Sequence, residues 1–150
     1  MEFSTRRFGQ VSIPDDKIIR FAQGIPGLPC MENSVLIKAE ETAPFYWLQS
    51  VEDGDIAIPV INPLLVDENY APSVEEAVFD ELQLDQEEDL LVVNVAVLPE
   101  ELSAMTVNLA APILINIARN IGRQVVLENG EYSMRQPIYE ALSARMKEGR

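Results

Sequence analysis

From Met105 to Pro137 the chain reads MTVNLAAPILINIARNIGRQVVLENGEYSMRQP, short apolar runs cut at close intervals by turn chemistry. Val107 and Leu109 alternate with polar Thr106 and Asn108, and β-branched residues crowd Pro112 to Ile117. Asn120-Ile121-Gly122 supplies turn residues before a short Gln124–Leu127 strand, and Asn129-Gly130 is a second hairpin signal because both residues tolerate positive φ. The stretch predicts three strands folded by two tight turns into a meander.

The rest of the chain carries the same punctuation. Phe3 to Ile13 predicts a hairpin turning at Phe8-Gly9-Gln10, and Lys17 to Phe21 resumes as strand after Pro14-Asp15-Asp16. Gly24-Ile25-Pro26-Gly27 is expected as a type II turn, with Pro26 and Gly27 as the residues that set it and φ positive at Gly27. Val35–Lys38 and Pro44–Val51 are further strands, the second carrying Phe45, Tyr46 and the only tryptophan, Trp47. Ile56–Ile61 contains Pro59, which lacks a ladder donor, so this strand is expected at an edge or a bend. An open edge there would offer a docking site. Leu90–Leu98 is almost continuously apolar and is expected in the centre of a sheet, with Asn94 as a buried amide.

Helix signals are few. Ser73 with Glu76 three residues on predicts a capping box for a helix over Ser73–Leu82, with Val74, Ala77, Val78 and Leu82 as its apolar stripe. A short amphipathic tail helix is expected from about residue 138 onward, with Ile138, Leu142 and Met146 on one face and Pro137 at its start. The fold expected is mainly β: a small antiparallel barrel or roll with one or two short helices, forming one domain over residues 1–150.

Charge narrows the function. The net charge is −14, from 25 acidic and 11 basic side chains, and no Lys or Arg occurs between Lys38 and Arg119. A negative face suited to a basic protein partner is the expectation, and direct nucleic-acid binding is disfavoured because phosphate would be repelled. The acidic groups singled out are Glu52, Asp53 and Asp55 in one turn and Glu75, Glu76, Asp80 and Glu81 on the internal helix. Tyr46 is singled out as an apolar contact on the outer face of the Pro44–Val51 strand.

Chemistry is sparse. The chain has no histidine, which removes the usual proton shuttle and the triads built on it. The single Cys30 excludes an intramolecular disulfide and a multi-cysteine zinc site, and is read as a buried or inert thiol. The Glu52-Asp53-Gly54-Asp55 turn lacks the ligand spacing of an EF-hand. No cofactor, metal site or catalytic residue is expected. The N-terminus lacks the apolar core of a signal peptide, and no apolar run reaches the roughly 20 residues of a membrane span, so a cytoplasmic location is expected.

Four ordered stretches carry a resemblance. Gly24-Ile-Pro-Gly-Leu28, Pro44-Phe-Tyr-Trp-Leu-Gln-Ser50, the strand leading into Asn62-Pro63, and the Met105–Asn116, Gln124–Leu127 and Tyr132–Pro137 runs together resemble the flagellar assembly factor FliW family, from roughly Phe3 to Tyr139. The resemblance implies a non-catalytic cytoplasmic protein that binds flagellin. It also implies binding of CsrA, a small basic RNA-binding dimer that represses flagellin translation. Flagellin would occupy the protein and leave CsrA free to repress; secretion of flagellin would free the protein to antagonise CsrA. The alternatives from the residues alone are an acidic β module for another basic protein and an Asp/Glu-based enzyme.

Overall fold

The computed structural model describes residues 1–128 and 130–148, with side chains of the last helix described through Arg145. Its strands are β1 (Glu2–Thr5), β2 (Gly9–Ser12), β3 (Ile19–Arg20), β4 (Asn33–Lys38), β5 (Tyr46–Ser50), β6 (Ala57–Ile61), β7 (Leu90–Val97), β8 (Thr106–Val107), β9 (Ile113–Asn116), β10 (Ile121–Gln124) and β11 (Gln136–Pro137). The helices are α1 (Glu76–Glu81) and α2 (Tyr139–Glu148).

Seven strands close into a barrel in the order β7-β6-β5-β4-β3-β10-β9, with β9 returning to pair with β7. An odd ring cannot be antiparallel throughout. The parallel pair it requires is β3 with β10, joined at Arg20 and Ile121, and the other pairs of the ring are antiparallel, as a mainly antiparallel barrel was expected to have. β8 and β11 extend the sheet from β7 beyond the closed ring. β1 and β2 pair only with each other.

The barrel interior follows from strand alternation. Val93 on β7, Leu48 on β5, Val60 on β6, and Ile113 and Ile115 on β9 meet Ile19, Phe21, Ile25 and Met31 in one core. Their neighbours on the opposite faces are also covered. Leu114, Leu90 and Val92 lie beneath α1 with Val78 and Leu82. Ala96 packs with Phe45, Met105, Ile138 and Leu142 beneath α2. β7 is therefore apolar on both faces because both are buried, and its three partner strands make it central as expected.

Several local expectations shift. Pro59 is not on an edge: β6 lies between β5 and β7, with Pro59 opposite Trp47. The β6–β7 register begins only at Val60, so the missing amide falls where that side of the strand is unpaired. Ser73 does not cap α1; Glu75 is extended at ψ 142° and the helix starts at Glu76. The extended lead-in carries Val74 onto the apolar cluster, Phe79 joins the stripe, and Ala77 is exposed. The β9–β10 turn lies over residues 117–120, closed by the Asn120 amide on the Asn116 carbonyl (2.8 Å) and by Asn116 Oδ1 accepting from the Ala118 amide (3.0 Å). Ile121 and Gly122 are strand rather than turn. The expected meander is thus one hairpin, β9–β10, while β8 pairs with β7 and β11. Pro137 belongs to β11, opposite Thr106, rather than to α2. The first hairpin turns at Arg6–Phe8 rather than at Gly9, and the strand expected over Lys17–Phe21 shrinks to β3 after a 3-10 turn at Asp15–Lys17. Asn129 of the second hairpin signal and the Met146 side chain lie outside the described residues. Gly27 is at φ 84° as expected, but the turn lies one residue further on than Gly24–Gly27, closed by the Leu28 amide on the Ile25 carbonyl (2.9 Å).

Buried polar groups tie these parts together. Asn94 Nδ2 donates to the Asn108 carbonyl (2.9 Å) and to Tyr70 Oη (3.2 Å), and Tyr70 donates to the Leu109 carbonyl (2.7 Å). Burial pushes the Tyr70 hydroxyl above its ordinary pKa of 10.0, opposed by the Asn94 hydrogen bond and assisted by Tyr132 nearby. An acid whose folded pKa is raised contributes stability that is complete below its unfolded pKa and lost as pH climbs through the folded one. Tyr70→Phe leaves the Leu109 carbonyl without this donor and should cost about 1–3 kcal/mol at pH 7. It should also flatten the loss of stability above about pH 10, the tyrosine reference value. Denaturant titration of both proteins at neutral and alkaline pH checks both effects.

Candidate functional site

The acidic groups singled out in the sequence fall on two separate surfaces, and a third surface carries none of them. The first is the β5–β6 turn. Asp53 is partly used by the turn itself, its Oδ1 accepting from the Asp55 amide (3.0 Å) while its own amide donates to Ser50 Oγ (3.0 Å). Glu52 accepts from Asn33 Nδ2 (3.0 Å), and Asp55 shares a cleft with Arg6 and Arg7. Those arginines come from the β1–β2 hairpin, which lies against this turn through the Arg6 amide on the Gly54 carbonyl (3.0 Å). Asp55 thus shares its cleft with positive charge from the same chain.

The hairpin also settles the outer face of β5. Arg7 stacks over the Trp47 ring at 3.8 Å and Phe8 meets it edge-on at 6.3 Å. Trp47 Nε1 donates to Thr42 Oγ1 (2.9 Å), and Gln49 on the same face is buried. Arg7 and Phe8 thus cover Trp47 on that face. Tyr46 has the parity of inward-facing Leu48 and lies at the start of β5, 36% exposed.

The second surface is α1, over the outside of β9 and β10, across the barrel from the first. The turn and the helix are not brought together. Glu81 pairs with Arg123 and accepts from Gln23 Nε2 (2.9 Å), and Asp85 pairs with Arg119 at 3.3 Å. These arginines are remote in sequence, so the uninterrupted acidity of the middle segment is partly neutralised in space. Glu75, Glu76 and Asp80 are exposed, and among the described residues their side chains have no ion-pair or hydrogen-bond partner. Asn116 is the residue that fixes this helix in place. Its buried Nδ2 donates to the carbonyls of Leu82 (2.9 Å) and Gln83 (3.2 Å), capping the C-terminus of α1.

The third surface was not foreseen. A groove of about 260 Å³ opens between Pro44–Phe45, Leu98, Leu102 and α2, with Tyr139 and Leu142 on its helical wall. Leu102 and Tyr139 are 54% and 42% exposed. A second apolar hollow, lined by Leu65, Leu142 and Arg145, shares Ala43 and Pro44 with it. Arg145 clamps α2 by donating to the carbonyls of Leu65 (2.6 Å) and Leu64 (2.9 Å). The groove joins segments some 40 to 95 residues apart in sequence, so periodicity within any one of them carried no sign of it.

Among the described residues no group of three or more His, Cys, Asp or Glu side chains could hold a metal ion. No helix is long and apolar enough to cross a membrane. Cys30 is half-buried rather than buried, at φ 60°, with its carbonyl accepting from Ser50 Oγ.

The family profile described as FliW protein matches residues 2–138. The chain belongs to the FliW family. It is 38% identical over 143 residues to the flagellar assembly factor FliW of Thermoanaerobacter pseudethanolicus, covering 95% of each chain. The flagellar assembly factor FliW of Caldicellulosiruptor saccharolyticus is 35% identical over 143 residues, covering 95% of this chain and 93% of that one. A crystal structure of the flagellar assembly factor FliW superposes with a TM-score of 0.86 at 29% identity, covering 93% of this chain and 97% of the other. The barrel with its short helices is thus the FliW fold. The family match ends at Ile138, one residue before α2 begins.

Proposed function

We propose that this protein is a non-catalytic, cytoplasmic flagellar assembly factor that binds flagellin and antagonises CsrA by partner switching. The observation that carries the reading is the family match over residues 2–138, with relatives named flagellar assembly factors matched over 95% and 93% of their length. Two features of the surface support it. The unpaired carboxylates Glu75, Glu76 and Asp80 suit a basic protein such as CsrA, because charges of one sign raise the encounter rate with the opposite sign. The groove between Pro44, Leu102 and α2 suits an apolar helix face of unassembled flagellin, which docks through side chains spaced three and four apart. This groove replaces the outer face of β5, which the hairpin covers; Tyr46 does not line it. Glu52, Asp53 and Asp55 are a weaker candidate than α1, since Arg6 and Arg7 oppose them.

The test is a titration with the flagellin and the CsrA encoded in the same genome. Each should bind the purified protein alone, and flagellin should release CsrA from its complex in proportion to its concentration. Failure of both to bind removes the whole reading. A stable ternary complex removes the switching step and leaves two independent binding activities.

A further inference from the structure

Hydrogen bonding of β10 continues past its last assigned residue. The amides of Val125 and Leu127 donate to the carbonyls of Pro112 (2.9 Å) and Ala110 (2.8 Å). Along an extended chain the N–H and C=O of successive residues face opposite sides. The backbone of Val126 therefore faces away from residues 110–112, and among the described residues neither its N–H nor its C=O has a partner. β3 is the strand on that side, and it pairs with β10 at Ile121 alone. Proteins usually cover, charge or bulge such an edge. This one carries Val125-Val126-Leu127, with Val126 59% exposed.

The edge borders a cleft of about 540 Å³, walled across from it by Gln23, Pro26, Ser73, Glu75 and Val78. Glu75 stands at one side and Glu128 at the other, and neither has an ion-pair partner among the described residues. Arg123 also lines the cleft, with its charge met by Glu81. We propose that this edge binds an extended, cationic segment of a partner protein as an added β-strand. Pairing with the Val126 backbone supplies direction and register, Pro26 and Val78 receive alternate apolar side chains, and the two carboxylates select Lys or Arg. A second copy of this chain fits poorly, since it would bring the same carboxylates face to face. The inference does not depend on the partners named above.

The probe is a synthetic peptide, acetyl-Lys-Val-Lys-Val-Thr-Val-Lys-amide, titrated into the isotopically labelled full chain and followed by amide chemical shifts. Shifts should cluster at Gln124–Glu128 and Gln23, and exchange of the Val126 amide should slow. Methylating alternate backbone nitrogens of the peptide should weaken binding about tenfold for one set of positions and leave the other set unchanged, because only one edge of the peptide is paired. Val126→Pro should abolish binding, since it removes the outward N–H and leaves the Pro112 and Ala110 hydrogen bonds in place. Glu128→Lys should weaken binding about threefold. The proposal is overturned if no shifts move at about 1 mM peptide. It is equally overturned if both methylated series bind alike, if an acidic analogue gives the same shifts, or if Val126 is already protected in a dimer without peptide. Should Val126→Pro fail to fold, the methylated peptides against the unmodified protein still decide the question.

Discussion

Gly122→Val is expected to destabilise the protein by about 3 kcal/mol or more, the upper range for overpacking a filled core. A Cβ placed on Gly122 lies 2.4 Å from Phe21 Cε1, 2.8 Å from Cζ and 2.9 Å from Cδ1. Phe21 is fully buried in the barrel core and held by its amide on the Glu32 carbonyl (2.7 Å). Its ring has nowhere to retreat, because interiors are packed to crystal density. The glycine is required by close approach rather than by a left-handed backbone. Gly54→Ala provides the contrast. Its Cβ would lie 2.1 Å from the Ser4 carbonyl oxygen, a worse clash, but against a hairpin that pairs only with itself. The hairpin should swing away and the barrel survive, uncovering Trp47. Gly122→Val should therefore lower the denaturation midpoint for every probe, whereas Gly54→Ala should red-shift tryptophan emission with a small loss of stability. A Gly122→Val protein that melts like the parent would disprove the packing of Phe21 against β10.

The second large effect separates the partners. Replacing Glu75, Glu76 and Asp80 with Lys should slow CsrA association about tenfold or more at low salt, since like charge then opposes a basic protein. The difference should shrink toward about 1 M salt, where the Debye length is only about 3 Å. Glu81 is left unchanged because its charge is already met by Arg123. Leu102→Ala with Tyr139→Ala should weaken flagellin about tenfold instead, mainly through faster dissociation, with little response to salt. All five positions are exposed, so the fold should tolerate both variants. Kinetics of each variant against each partner at two salt concentrations give four comparisons. If CsrA and flagellin respond alike to both variants, one shared surface replaces the two described here.

How much of this was legible beforehand differs by residue. β7 as a central strand followed from its nearly continuous apolar run, and a turn at Pro26-Gly27 from those two residues, though one residue further on than expected, because both depend on chemistry local to the segment. Pro59 misled for the opposite reason. Its missing donor restricts the strand only where a partner amide or carbonyl would be, and the register of β6 places it beside a gap. The Ser73 capping box failed because Val74 gains more by packing on the Leu90–Val92 cluster than Ser73 gains from a cap. The acidic residues of α1 were found, but the arginine that neutralises Glu81 lies 42 residues away, and the one that pairs with Asp85 just beyond the helix lies 34 residues away.

The sequence by itself determined the class of fold, the scarcity of helix, the acidic character of the middle segment and, through four ordered motifs, the family. These rest on short-range periodicity, turn residues and bulk charge, which are properties of neighbours in the chain. Tertiary structure alone decided the closure of seven strands with one parallel pair, the capping of Trp47 by Arg7 and Phe8, the apolar groove on α2 and the open edge at Val126. Each depends on which distant segments share a face, and that is set by filling one core around Phe21, Leu48 and Ile113, not by any single stretch.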